Sequence, residues 1–258
     1  MTERRVSFIV KKQQYLNTES HLYGAYLIYD RETESMYYSH RDDHNGGRER
    51  LAMGILTACW LQKHPDPEKE GSLQKYVEYV YRELYDRTTG TVYNDICHNN
   101  DWNRLYNYPW MAVFQIELYK LYHREDYLKD AFQTMKQYYE IGGSRFYGIC
   151  IPAAELYQLL TEAHLTDEAE TFLNMFQIHA DKITENGNHY PESEVQYEQS
   201  IVSPAASIEL QAYQISKKEC YLKEAEQQLE VLKLFNAHQP DYFQFENGIR
   251  HWDGYWFG

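Results

Sequence analysis

The sequence predicts an all-α protein built from stacked pairs of helices, and three observations carry that expectation. Apolar residues recur three and four apart along most of the chain, as in "LKEAEQQLEVLKLF" near the C-terminus, the spacing of one buried helix face. Two stretches, "DYLKDAFQTMKQYY" (126–139) and "CYLKEAEQQLEVLKLF" (220–235), share Tyr-Leu-Lys-acid-Ala, and "TDEAETFLNMF" between them repeats the acid-Ala feature. Links between the helical segments alternate between short and long, the pattern of an array of αα-hairpins.

Taken in order, the chain opens with a short amphipathic segment and then "GAYLIYDRETESMYYSH", which reads as a β-hairpin. Together they form an N-terminal extension over residues 1–40. Eight helical segments follow over 41–258, at roughly 47–63, 72–86, 108–123, 126–141, 149–164, 167–185, 200–217 and 219–237. The odd-numbered ones carry Pro109, Pro152 and Pro204 near their starts, where a missing N–H costs nothing because the first turn has no partner for it. No low-complexity tract or linker interrupts the series, so residues 1–258 are expected to form a single domain.

Composition narrows the function. A formal charge of −14 disfavours a general nucleic-acid binder, which needs a basic face to neutralise phosphates. The apolar run in "MTERRVSFIVKKQQ" is too short for a signal-peptide core, and no window approaches a membrane span. Cys59, Cys97, Cys150 and Cys220 are widely spaced with no metal-ligand pairing, which suits reduced thiols in a cytoplasmic protein. With 26 Tyr, the chain is rich in a side chain whose apolar body and polar tip fit a wet cleft as well as a core.

Connector chemistry locates the candidate site. Short links such as "HRED" and "HLTD" lead to even helices, while "MYYSHRDDHNGG", "VYNDICHNNDWNRLYNY", "GGSRFY" and "NGNHYPESEVQYEQ" lead to odd ones. In an alternating array every long link falls at one end, and that end gathers the polar and aromatic residues. Asp42 and Asp43 precede Gly46-Gly47 and a helix start, where free N–H groups and the helix dipole favour a carboxylate; helix capping is the plainer role for either. Asp95 and Asp101 lie in the second connector, with Trp102 next to Asp101 to face a sugar ring; the alternative there is a solvated Asx turn. Glu192 and Glu194 lie in the fourth. His44, Arg48, His98, Arg104, Trp110, His189, Tyr190 and Trp252 complete the expected substrate contacts.

Helix pairs marked by Tyr-Leu-Lys-acid-Ala, proline-led inner helices and one face of long aromatic loops resemble the six-hairpin, (α/α)6-toroid glycosidases over roughly residues 40–258. That superfamily includes the unsaturated uronyl hydrolases, and related toroids occur in polysaccharide lyases and sugar epimerases. The resemblance implies an αα-hairpin toroid and a glycoside hydrolase acting on an oligosaccharide, uronic-acid-containing ones included, through Asp/Glu acid–base chemistry. Asp43, Asp101, Glu192, Asp42 and Asp95 are then the catalytic candidates, chosen by position. An epimerase would rest instead on His189 and His251, and a non-catalytic helical-repeat protein on its concave face.

A full toroid has twelve helices against the eight read here, and "FENGIRHWDGYWFG" reads like a functional loop cut before its helix, so an incomplete toroid is expected. Cys97-His98 is similar to the ligand pairs of zinc toroids that cyclise lanthionine peptides. No second Cys-containing motif accompanies it, so neither metal nor cofactor is expected.

Overall fold

The computed structural model describes residues 2–38, 51–101, 104–191 and 199–234. The fold is all-α, a series of αα-hairpins of the toroid class with a small N-terminal β-hairpin, as expected. The chain forms two compact units, residues 1–138 and 139–258.

In the first unit, α1 (Thr2–Phe8) runs into a π-turn over Ile9–Gln13, and β1 (Ile28–Asp30) pairs antiparallel with β2 (Ser35–Tyr37). The hairpins α2 (Leu51–Leu61) with α3 (Pro67–Glu83) and α4 (Asn107–Tyr122) with the start of α5 (Glu125–Glu140) follow. Helix α3 starts at Pro67 rather than 72: Asp66 caps it by accepting a hydrogen bond from Lys69 N, and proline takes the first helical position. It also stops short of 86, because Tyr85–Asp86 (β3) pairs with Thr91–Val92 (β4) in a second hairpin that the helical pattern hid.

The two β-hairpins turn by the same chemistry. Asp30 Oδ1 accepts from Glu32 N and Oδ2 from Thr33 Oγ1, both at 2.8 Å. Asp86 repeats this with Thr88 N at 2.8 Å and Thr89 Oγ1 at 2.9 Å. Each turn then needs one left-handed residue, supplied by Glu34 (φ 52°) in the first and Gly90 (φ 74°) in the second.

Helix character follows layer. Helix α4 buries residues on all sides, among them Tyr108, Met111, Ala112, Phe114, Ile116 and Leu118, whereas α5 buries one stripe through Leu128, Ala131, Met135 and Tyr138. Helix α4 thus lies inside, packed on α2, and α5 outside. Each fully buried large apolar side chain contributes about 1.5–3 kcal/mol. The N-terminal extension is clamped on α3: Gln14 Nε2 donates to Ser72 O at 2.8 Å, Ser72 Oγ donates to Gln14 Oε1 at 2.8 Å, and the Tyr26 and Tyr76 rings stack at 4.3 Å.

The second unit contains the end of α5, a 3-10 turn over Gly143–Arg145, and α6 (Ala153–Glu162), α7 (Thr166–Asn186), α8 (Gln199–Ser216) and α9 (Glu219–Leu234). Here α6 packs on α8, and α7 and α9 cover them. Pro152 stands immediately ahead of α6, as expected, but Pro204 lies inside α8, beyond the positions where a missing N–H has no cost. None of the described helices is long and apolar enough to cross a membrane.

Candidate functional site

In the first unit three separate stretches meet at the C-terminal end of α3: the turn over 17–24, the α3 residues Arg82 and Glu83, and the connector from Tyr93 onward. They enclose a groove of ≈550 Å³ lined by Thr18, His21, Tyr23, Glu83, Cys97 and His98 among others. Gly24 makes this approach possible: it sits at φ 90°, and a Cβ there would lie 2.3 Å from Lys75 O. A larger hollow of ≈780 Å³ beside Leu56, Trp60 and Pro65 lies at the other end of α3, where the short link runs. It brings together fewer groups able to do chemistry.

Glu83 organises the groove. Its side chain is 3% exposed and accepts from His21 Nδ1 at 3.1 Å, Arg82 Nε at 2.8 Å and Cys97 N at 2.8 Å. Burial raises its pKa, but the hydrogen bonds from Arg82, Cys97 N and His21 outweigh that and hold the carboxyl below its ordinary value. Glu83 is therefore a fixed charge and not a proton donor. Arg82 is fixed in turn, donating through Nη2 to the carbonyls of His21 at 2.9 Å and Tyr23 at 3.0 Å.

The connector is tightly turned. Asn94 N donates to Asn99 O at 2.8 Å, and Cys97 and His98 are both left-handed, at φ 60° and 53°. Such conformations cost non-glycine residues about 1–2 kcal/mol each. Part of that is offset where Cys97 N and His98 N donate to Glu83, the latter to its carbonyl at 3.3 Å. His98 stacks on Tyr93 at 4.5 Å between centroids, with Nε2 3.0 Å from Arg82 O.

Of the residues expected from sequence, Asp42, Asp43, His44, Arg48, Trp102, Glu192, Glu194 and Trp252 lie outside the described residues. His98 lines the groove. Asp95 is 5% exposed, its Oδ1 accepting from Tyr38 OH at 2.7 Å and Ile96 N at 2.8 Å, so its first task is to shape the connector. Asp101 is exposed, its N–H donating to Asn99 Oδ1 at 2.9 Å. Arg104 lies 5.4 Å over the Tyr106 ring, and Trp110 stands 6.2 Å from that same ring on the first turns of α4.

In the second unit His189 is exposed, but Tyr190 corrects the expectation. It is 3% exposed, donates to Gln228 Oε1 at 2.6 Å and meets the Tyr147 ring edge-on at 5.9 Å. A tyrosine so enclosed ties the 187–191 link to the 141–152 link and to α9 and offers no surface to a ligand. Asn186 Nδ2 donating to Tyr147 OH at 3.1 Å adds to the same junction. The described parts of the two long links of this unit, 141–152 and 187–191, therefore draw together.

Sequence reasoning missed His21, Arg82 and Glu83, and considered Cys97 only as a metal ligand paired with His98, a reading set aside for want of a second Cys-containing motif. Periodicity carries no signal for a cluster whose members are 62 and 14 residues apart. The one local hint was Arg82-Glu83 at a helix end feeding a long polar connector.

No protein-family model matches the chain, and no curated protein matches it. A solved structure named as a polysaccharide lyase is similar over 100% of this chain, at a TM-score of 0.88 and 36% sequence identity. The chain spans 39% of that protein's length.

Proposed function

We propose that this chain forms part of an enzyme that cleaves a polysaccharide, with the connectors at the C-terminal end of α3 contributing to its substrate cleft. The observation that carries this reading is the 36% identity to a polysaccharide lyase along the whole chain. It is supported by a groove of ≈550 Å³ in which two imidazoles, an arginine and a tyrosine stand around a fixed carboxylate. That mixture suits a ligand with many hydroxyls.

Two bond-breaking chemistries fit a polysaccharide. Hydrolysis needs one carboxyl group as acid and another as base or nucleophile, and Asp42, Asp43, Asp95, Asp101 and Glu192 are its candidates. Elimination needs a sugar with a carboxylate beside the C–H that is lost, hence a uronic acid, and a base to take that proton. We favour elimination, because the similar solved structure carries the name of a lyase. Either route needs a proton carrier, and Asp43 and Asp101 are assigned that part.

Incubating the protein with a panel of uronic-acid and neutral polysaccharides tests the reading. Elimination yields new reducing ends together with the ultraviolet absorbance of an unsaturated uronyl end, and that pair is the expected result. Reducing ends without the absorbance would make the enzyme a hydrolase. No new reducing ends on any polysaccharide would overturn the proposal.

A further inference from the structure

We propose that His21, Glu83 and Cys97 bind a zinc-class divalent cation in the groove of the first unit. The inference stands on these side chains and does not rest on the polysaccharide reading. Among the described residues, His21, Glu83 and Cys97 each offer one ligand atom, and the three atoms lie within 4.8 Å of one another. They come from a turn, a helix end and a connector, so the fold assembles the cluster and no local sequence pattern does.

The donor set selects the ion. An imidazole nitrogen, a thiolate and a carboxylate suit zinc, whereas magnesium and calcium prefer oxygen ligands throughout. Three protein ligands leave a fourth tetrahedral position open to the groove for water or another small ligand. Ligands on one tetrahedral zinc stand about 3–4 Å apart, given metal–ligand lengths of about 2.0–2.3 Å. Small rotations of His21 and Cys97, both exposed, bring the present separation into that range.

Electrostatics and hydrogen bonding fit as well. Thiolate and carboxylate together carry the two negative charges that offset a dication, beside the positive charge that Arg82 already sets against Glu83. The lone pairs of Glu83 that now accept from His21 Nδ1, at 3.1 and 3.2 Å, are those a cation would take, with His21 Nδ1 turning its own lone pair to the ion. Arg82 Nε and Cys97 N would keep their bonds to Glu83 and orient it, as outer partners of metal ligands do. Arg82 is restrained from the ligand positions by its bonds to the carbonyls of His21 and Tyr23. Binding would release the Cys97 thiol proton to solvent.

The test uses the whole chain, stripped with chelator and titrated with zinc(II) alone by calorimetry, and with cobalt(II) followed by absorbance. One tight equivalent of zinc is expected, and cobalt should show the charge-transfer band of a thiolate ligand. Cys97→Ser should abolish that band. Cys97→Ser and His21→Ala should each weaken zinc binding by at least the about 10–100-fold that an outer partner alone is worth. Both side chains are exposed, so the variants should fold, as circular dichroism would verify. Cys150→Ser, a cysteine remote in sequence and exposed, should bind zinc as the wild type does. Equal zinc affinity in wild type and Cys97→Ser, or a band that survives in Cys97→Ser, would overturn the proposal, as would no binding in the wild type.

Discussion

Tyr38 donates a 2.7 Å hydrogen bond to Asp95 Oδ1, joining the end of the N-terminal β-hairpin to the connector that leads into α4. Burial and the neighbouring carboxylate raise the Tyr38 pKa, so the phenol remains a donor at every physiological pH. The residue that opens the 39–50 segment is thus anchored beside the connector carrying Cys97 and His98. Tyr38→Phe removes this donor from Asp95, which keeps the Ile96 N–H among its partners. Stability should fall by about 1–3 kcal/mol, the usual worth of a hydrogen bond to a charged group in a poorly solvated place. Urea unfolding midpoints measure it, and an unchanged midpoint would show the contact to be energetically idle.

The paired β-hairpins make a second prediction, because the same turn holds Glu34 in one and Gly90 in the other. Gly90 combines φ 74° with a virtual Cβ 2.3 Å from Gln133 O, so Gly90→Ala adds both backbone strain and a collision with main chain. A loss of more than about 2 kcal/mol is expected. Glu34→Gly should do the reverse, relieving a strained residue at φ 52° with a gain below about 1 kcal/mol. Thermal unfolding of the two variants should therefore move in opposite directions.

How much of this was legible beforehand divides along physical lines. All eight expected helices appear, because an amphipathic stripe such as Leu128, Ala131, Met135 and Tyr138 is written locally. The β3–β4 hairpin was not read: its strands have two residues each, too few to show alternation. Tyr190 was misplaced because a tyrosine's apolar body and polar tip suit a cleft and a core alike, and only its partner Gln228, 38 residues on, decides between them. Glu83 escaped for a related reason, since its role depends on His21 and Cys97 arriving from elsewhere in the chain.

Glu209 supplies a pH prediction within the second unit. It is fully buried, accepts from Thr184 Oγ1 at 3.1 Å, and among the described residues has no hydrogen-bond partner for Oε2. Burial, aided by the charges of Glu224 and Asp181 against the opposing Thr184 bond, pushes its pKa from 4.5 up to about 8. Between these values the native chain keeps a proton that the unfolded chain has released, so rising pH costs stability there, and the full penalty is present above about pH 8. His179 acts oppositely: burial, with the Lys182 charge adding, draws its pKa from 6.5 to about 3, so falling pH costs stability in that interval. Glu209→Gln removes only the first effect. Its stability relative to wild type should climb from pH 4.5 to 8 and then level off in urea titrations run across that range. A difference that stays flat with pH would sink the assignment.

The last prediction concerns the proton carriers. Asp101 is exposed in the connector that turns about Glu83, and Asp43 lies outside the described residues, in the segment that Tyr38 leads into. Changing either to Asn removes the titratable proton while nearly preserving shape. If they transfer protons during bond cleavage, turnover should fall about 10²–10⁴-fold, the usual worth of general acid–base assistance, while unfolding midpoints stay put. A capping or turn-forming Asp behaves otherwise, because Asn caps a helix about as well as Asp does, and turnover would then hardly change. Reducing-end release from an active polysaccharide, measured for both variants beside the wild type, separates the outcomes. Wild-type turnover in both would remove Asp43 and Asp101 from the chemistry and move the assignment to Glu192 and Glu194.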